Sequence, residues 1–287
     1  MTTPTFRRPR SVLLLALLIC GAWLATTALP VSAKAYRYLN PIFPNVTVTN
    51  NLIYGHAKLS DGKTEPLRLD LFQPTGDTAR NRPVLIFIHG GGQKDVRALK
   101  HNRDVAVGFA VRGWVSASID MRSGTSGAQV EGQHDIRAAV RWFRANAAAL
   151  HIAPSRIVLF GSSAGGIGAL GVNFAPEDAG NSGHPGYSSA VAAAIAVGSF
   201  ASRPDTIGFN ETPILMFHAA DDRLVPIQTA KATCTQTRTQ GNVCVFYQYD
   251  HGGHPPPLIN NNRAQMTYRS ALFICKYVMP GVCHGIG

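Results

Sequence analysis

Four short clusters in this chain hold the residue types needed for nucleophilic attack on a carbonyl. The first is Gly161-Ser162-Ser163-Ala164-Gly165, with Ser163 at its centre. A serine hydroxyl attacks well when it projects from a sharp strand-to-helix turn. The strained backbone there needs small neighbours two residues before and after. Ser162 is the competing nucleophile, but the central position belongs to Ser163, which is favoured. The second cluster is His89-Gly90-Gly91-Gly92. Backbone N–H groups aimed at the oxyanion of a tetrahedral intermediate are worth roughly 3 kcal/mol each, and glycines let the backbone approach. The expected donors are the N–H groups of Gly91 and Gly92, with that of Ala164 after the nucleophile. The competing reading is a generic glycine turn or a phosphate loop, and no Gly-Lys-Ser/Thr follows to make the latter. His89 itself is expected to be structural, bonding the loop.

The third and fourth clusters supply an acid and a base. A base must take the serine proton, and a carboxylate must hold that base in its useful tautomer. Asp221 and Asp222 lie within His218-Ala219-Ala220-Asp221-Asp222-Arg223-Leu224-Val225-Pro226. Adjacent side chains diverge, so only one is expected to serve, and position alone does not choose between them. Either could instead be a turn residue or a charge at a helix N-terminus. His251 and His254 lie within Asp250-His251-Gly252-Gly253-His254-Pro255. Two glycines would let a histidine swing toward the serine, and again both are candidates. Either could be a surface histidine. A metal site is not expected, because no third ligand accompanies the pair.

Elements that could position these clusters are visible as hydrophobic patterning. Apolar runs at 83–89, 115–121, 156–160, 191–197, 213–218 and 242–249 have the character of buried parallel strands. Amphipathic stretches at 134–150, 167–174, 226–239 and 262–278 fall between them as helices. In the first of these, Ile136, Ala139, Val140, Phe143 and Ala147 recur at helical spacing. Strands alternating with helices imply βαβ units and a mostly parallel sheet covered on both faces, an α/β fold. Residues 46–56 and 66–72 are expected to add antiparallel edge strands. The short connection at 198–212 leaves room for little or no lid, and a polar loop at 176–186 is expected near the site.

The chain has 287 residues, of which 45% are apolar and 15% charged. This is a globular composition, long enough for one large domain. Residues 1–33 have the form of an export signal. Arg7, Arg8 and Arg10 precede a mostly apolar run, and Val31-Ser32-Ala33 offers cleavage after Ala33, with Ala33-Lys34-Ala35 as a second site. A membrane anchor is the alternative, but Gly21, Thr26 and Thr27 interrupt the run and Pro30 ends it. Ile19 is too large for a usual lipobox before Cys20, and the residues around Arg7-Arg8 match a twin-arginine signal poorly. The expected organisation is therefore a signal peptide at 1–33 and one domain at 34–287, secreted or periplasmic, with no stable membrane insertion after cleavage.

Four cysteines remain in that domain: Cys234, Cys244, Cys275 and Cys283. An even count in an exported chain implies two disulfides. Short separations favour Cys234 with Cys244 and Cys275 with Cys283, against the alternative of four buried thiols. Zinc is not expected, because no Cys-x-x-Cys pair occurs. The formal net charge is +11, and the three leader arginines carry three of those charges, leaving about +8. The cations are scattered, without a run or a nucleic-acid motif, so nucleic acid is not an expected partner.

Taken together, these motifs resemble the α/β-hydrolase esterases of the acetyl-xylan esterase, feruloyl esterase and small carboxylesterase type, related to the hormone-sensitive-lipase group. The resemblance runs from about residue 54 to 254. It is carried by His89-Gly90-Gly91-Gly92, by Arg112-Gly113-Trp114 leading into Ser118-Ile119-Asp120-Met121-Arg122, by residues 156–166, and by a helix over 135–142. It implies an α/β-hydrolase fold. Its Asp-x-x-Val-Pro pattern selects Asp222, and its Gly-His pattern selects His254. The departures are Gln93, where the family often has an aromatic, Ser162, where it often has Asp, and the run Pro255-Pro256-Pro257. The implied activity is that of a carboxylic-ester hydrolase working without a cofactor through Ser163, Asp222 and His254, on a small-molecule or polymer ester. The competing functions are a polyester depolymerase, another acyl hydrolase such as a peptidase, and an inactive binding protein of the same fold. Asn45-Val46-Thr47 and Asn210-Glu211-Thr212 are glycosylation sequons if the host glycosylates.

Overall fold

The computed structural model describes Met1 and residues 36–59, 61–91, 96–122, 128–175 and 180–283, with backbone alone at 128 and 129. The expected leader and its cleavage sites otherwise lie outside the described residues. Within them the chain forms eight strands: β1 (Val46–Lys58), β2 (Thr64–Pro74), β3 (Arg82–Ile88), β4 (Val115–Ile119), β5 (Ile152–Ser162), β6 (Ala193–Val197), β7 (Ile214–Ala219) and β8 (Cys244–Tyr249). They make one sheet in the order β1-β2-β4-β3-β5-β6-β7-β8. The pairs β1–β2 and β2–β4 are antiparallel, and β4, β3, β5, β6, β7 and β8 run parallel. Five helices connect them: α1 (Lys100–Ala110), α2 (Ala128–Ala145), α3 (Ala164–Phe174), α4 (Ile227–Thr239) and α5 (Pro257–Tyr277).

The central strands β3, β5, β6 and β7 are largely apolar on both faces because both faces are covered. Alternate residues point to opposite sides of a strand. Ile86, Ile88, Ile157 and Leu159 share a core with Ile136, Val140 and Phe143 of α2 and with Leu170 and Val172 of α3. Leu85, Phe87, Val158 and Phe160 share the other core with Val105 and Phe109 of α1 and with Met266, Phe273 and Ile274 of α5. Each such side chain contributes about 1.5–3 kcal/mol on burial. The result is a three-layer α/β/α domain.

Some elements differ from the sequence expectation. Helix α1 was not foreseen. Its buried residues, Asn102, Val105, Ala106, Phe109 and Ala110, do recur at helical spacing, but the helix opens on the polar run Lys100-His101-Asn102-Arg103-Asp104 without a capping side chain. Helix α2 starts at Ala128 rather than at 134 and ends at Ala145, with 146–150 forming hydrogen-bonded turns. Helix α5 begins at Pro257 rather than at 262. A proline suits a first helical turn because its missing N–H would have no partner there. The connection at 198–213 is a loop with one 3-10 turn at Pro204–Thr206, so no large insertion stands between β6 and β7.

The cysteines are bonded in the expected pattern, Cys234–Cys244 joining α4 to β8 and Cys275–Cys283 joining α5 to the tail. Loops of ten and eight residues correspond to about 2.5 kcal/mol each from restricting the unfolded chain. Among the described residues no helix is long and apolar enough to cross a membrane.

The parallel strands β3, β5, β6, β7 and β8 all end on one edge of the sheet, where the four clusters of candidate residues therefore meet. Close packing of α3 against β3 makes this possible. A Cβ on Gly165 would stand 2.2 Å from the His89 carbonyl oxygen and 2.5 Å from that of Ile88. A Cβ on Gly91 would meet nothing within 4 Å. Gly165→Ala is expected to lower stability by about 1–3 kcal/mol or more, through overpacking against rigid backbone. Gly91→Ala should leave stability within about 0.5 kcal/mol of the original. Thermal unfolding of the two variants checks the contrast.

Candidate active site

Strand β5 ends at Ser162 and α3 begins at Ala164, so Ser163 alone makes the turn. Its φ is 51° and its ψ −122°, a backbone conformation that costs a non-glycine residue on the order of 1–3 kcal/mol. The surroundings hold it there. The Ser163 N–H donates to the Val197 carbonyl at 2.9 Å, and the Ser163 carbonyl accepts from the N–H groups of Gly166 and Ile167 at 2.9 and 3.0 Å. The Ser199 hydroxyl lies 2.9 Å from the same carbonyl. Side chains at 161 or 166 would destroy the turn. A Cβ on Gly161 would be 2.2 Å from the Gly165 carbonyl oxygen, and one on Gly166 would be 2.1 Å from Ser199 Oγ. Ser162, the competing nucleophile, is buried, whereas Ser163 is partly exposed.

The loop after β8 brings His254 to Ser163, with His254 Nε2 lying 2.7 Å from Ser163 Oγ. On the other side of the ring, His254 Nδ1 is 2.8 Å from Asp222 Oδ2. The Asp222 side chain is fully buried. Its Oδ1 accepts the N–H groups of Leu224 and Val225, both at 2.9 Å, so the carboxylate is fixed before it meets the histidine. Of the paired candidates, Asp222 and His254 are the two brought to Ser163. Asp221 is exposed and accepts from the N–H groups of Gly253 and Gly252 at 2.8 and 3.3 Å. His251 is also exposed, with Nδ1 3.6 Å from Asp221 Oδ2.

Two further residues at this site were not singled out from the sequence. His218, at the end of β7, is buried beneath Asp222, with Nε2 3.4 Å from Asp222 Oδ2. Its Nε2–H donates to the Val225 carbonyl at 2.9 Å. Burial pushes its pKa below the ordinary histidine value, against the opposing pull of the Val225 carbonyl and Asp222. Gly198, directly after β6, has φ +58°, and a Cβ there would lie 2.5 Å from Pro255 Cδ and 3.4 Å from Asp222 Oδ2. The glycine lets the acid and histidine loops close over the end of β6.

The glycine loop after β3 lies against the nucleophile. His89 is buried, and its Nδ1–H donates to the Gly90 carbonyl at 2.5 Å, as befits a structural residue. A Cβ on Gly90 would stand 3.2 Å from Ser163 Cβ. Gly90 is therefore the glycine that passes the serine, a contact not anticipated when Gly91 and Gly92 were named. Gly91 follows it and is exposed, and Gly92 lies outside the described residues. Ala164 opens α3, whose N-terminal end carries partial positive charge. Beyond the loop, Arg97 Nη1 bonds Asp120 Oδ2 at 2.5 Å and anchors the returning chain to the end of β4. Asp135 of α2 holds Arg122 at 2.7 Å in the same region. The described part of the polar loop expected near the site sends its hydrogen bonds to β1 and Asp135, through Ser182 and His184.

The chain is similar to known proteins in sequence and in fold. The BD-FAE family model matches residues 69–179. Carboxylesterase 3B of Mus musculus is 32% identical over 127 residues, which is 40% of this chain and 21% of that protein. The chain thus spans about a fifth of the length of that relative. Among solved structures, a thermophilic esterase from the Planctomycetes species Thermogutta terrifontis superposes with a TM-score of 0.68 at 24% identity, covering 85% of this chain and 97% of that one. Its propionate-bound form gives 0.68 at 25% identity, covering 88% and 100%. The form phosphorylated by paraoxon gives 0.67 at 25% identity, covering 83% and 96%. The chain has the α/β-hydrolase fold of the esterases. In this fold the loops after β3, β5, β7 and β8 carry the glycine run, Ser163, Asp222 and His254 in turn.

Two predictions follow from these contacts. Gly198→Ala adds strain at a positive φ and pushes on Pro255, so it should lose about 1–3 kcal/mol of stability, checked by thermal melting. The second concerns pH. Burial holds both His89 and His218 below the ordinary histidine value. The unfolded chain therefore binds protons that the folded chain does not, and stability must fall as pH drops below about 6.5. Melting temperatures at pH 5 should lie below those at pH 7.5.

Proposed function

We propose that this protein is an exported carboxylic-ester hydrolase that forms an acyl-enzyme on Ser163. The observation that carries the reading is the hydrogen-bonded chain from Ser163 Oγ through His254 to Asp222, at 2.7 and 2.8 Å. His254 Nε2 takes the serine proton as Oγ attacks the ester carbonyl, and returns it to the leaving alcohol. Asp222 keeps the other ring proton on Nδ1 and stabilises the imidazolium. The N–H groups of Gly91, Gly92 and Ala164 receive the oxyanion. Water, activated by the same histidine, then releases the acid. These steps call on no cofactor.

The esterase names of the relatives support the reaction class. Export is supported by the leader-like first 33 residues and by two disulfides, which persist in oxidising compartments. The test is kinetic. On short p-nitrophenyl esters, Ser163→Ala and His254→Ala should each lower kcat by at least about 10³-fold, and Asp222→Asn by about 10⁴-fold. Undiminished turnover by Ser163→Ala would contradict the assignment.

A further inference from the structure

The two aspartates are neighbours in sequence but face different parts of the same loop. Asp222 points inward to the His254 ring, and Asp221 points outward to the backbone that carries it. The segment from Tyr249 to His254 lies beside the segment from Ala219 to Asp222, and the two are tied three times in succession. The Ala220 N–H donates to the Tyr249 carbonyl at 2.7 Å, extending the β7–β8 ladder by one bond. The Asp221 carboxylate accepts the N–H of Gly253 at 2.8 Å through Oδ1 and that of Gly252 at 3.3 Å through Oδ2. The Asp222 carboxylate then meets His254 Nδ1 at 2.8 Å.

The middle tie lies where the loop is least constrained by its own sequence. Gly252 and Gly253 have φ values of 140° and 61°, and glycines leave the backbone many alternatives. With only the two ring hydrogen bonds of His254 beyond it, such a segment would let His254 drift. We propose that Asp221 is a positioning residue for the base, its carboxylate clamping the Gly252-Gly253 backbone so that His254 falls between Asp222 and Ser163. This rests on the reading of those three residues as a catalytic triad. The bonds to Gly253 and Gly252, with a smaller contribution from His251, hold the Asp221 pKa below the usual carboxylate range. The clamp therefore carries its negative charge at neutral pH. A hydrogen bond to a charged acceptor is roughly twice as strong as a neutral one. His251, 3.6 Å away and exposed to solvent, adds a screened contact of little weight.

Asp221 is exposed, so substitution there leaves the core intact. The experiment compares Asp221→Ala, Asp221→Asn, His251→Ala and Ser163→Ala for kcat, KM, melting temperature and the low-field proton resonance of His254 Nδ1–H. Misplacing a catalytic group by about 1 Å can lower rate up to 10²-fold. Asp221→Ala is expected to lower kcat on the order of tenfold, with KM and melting temperature little changed and the His254 resonance broadened. Asp221→Asn, which keeps one acceptor oxygen, should fall between Ala and the original, and His251→Ala should match the original. An Asp221→Ala variant with unchanged kcat and a sharp His254 resonance overturns the proposal. So does a loss of rate matched by loss of folded protein while the resonance stays sharp. If Ser163→Ala is inactive in those same assays, only the clamp has failed; if it stays active, the triad reading falls and the clamp with it.

Discussion

The site depends on a turn one residue long. Ser163 has to carry the chain from β5 into α3 with φ at 51°, and nothing in a serine favours that conformation. The strain is balanced by bonds to Val197, Gly166, Ile167 and Ser199, and by the absence of side chains at 161, 165 and 166. Those glycines let α3 lie against the end of β3, and that approach brings the 89–91 loop to the serine. A chain with ordinary side chains at those positions would have to push the helix away, and the hydroxyl would no longer stand at the sheet edge.

The acid and the base are placed by a second constraint, the parallel pairing of β7 with β8. Two strands side by side end side by side, so their following loops start a few ångströms apart. Gly198 removes the side chain that would keep those loops from closing over β6. His218 fills the space under Asp222 without bringing a charge, because burial keeps it neutral near neutral pH. A buried carboxylate is costly unless its oxygens are bonded. Here the backbone N–H groups of Leu224 and Val225 and the ring of His254 bond both of them.

Much of this was legible in the amino-acid sequence because it is local. The pentapeptide around Ser163 and the apolar runs of β3 to β8 express themselves over a few residues. So did the pairing of the cysteines, eight and ten residues apart. The choice of Asp222 over Asp221 was not local. Adjacent side chains point apart, and which one faces inward depends on how β7 lies in the sheet; only the family resemblance selected it. Gly198 was missed because Pro255, the atom group it makes way for, lies far along the chain. The approach of Gly90 to Ser163 was not legible because it depends on how α3 packs on β3. Helix α1 was missed because its polar opening hides a buried face that shows only from Asn102 onward.

The central claim is that Ser163 becomes acylated during turnover, and the intact intermediate tests it most directly. A slowly released ester, or paraoxon as a phosphorylating substitute, would be mixed with the protein, quenched in acid and digested for mass spectrometry. The account predicts one added group per chain on the peptide containing residues 157–166, localised by fragmentation to Ser163 and absent from Ser163→Ala. A group found on Ser162 or elsewhere, or turnover with no covalent adduct at all, would contradict it.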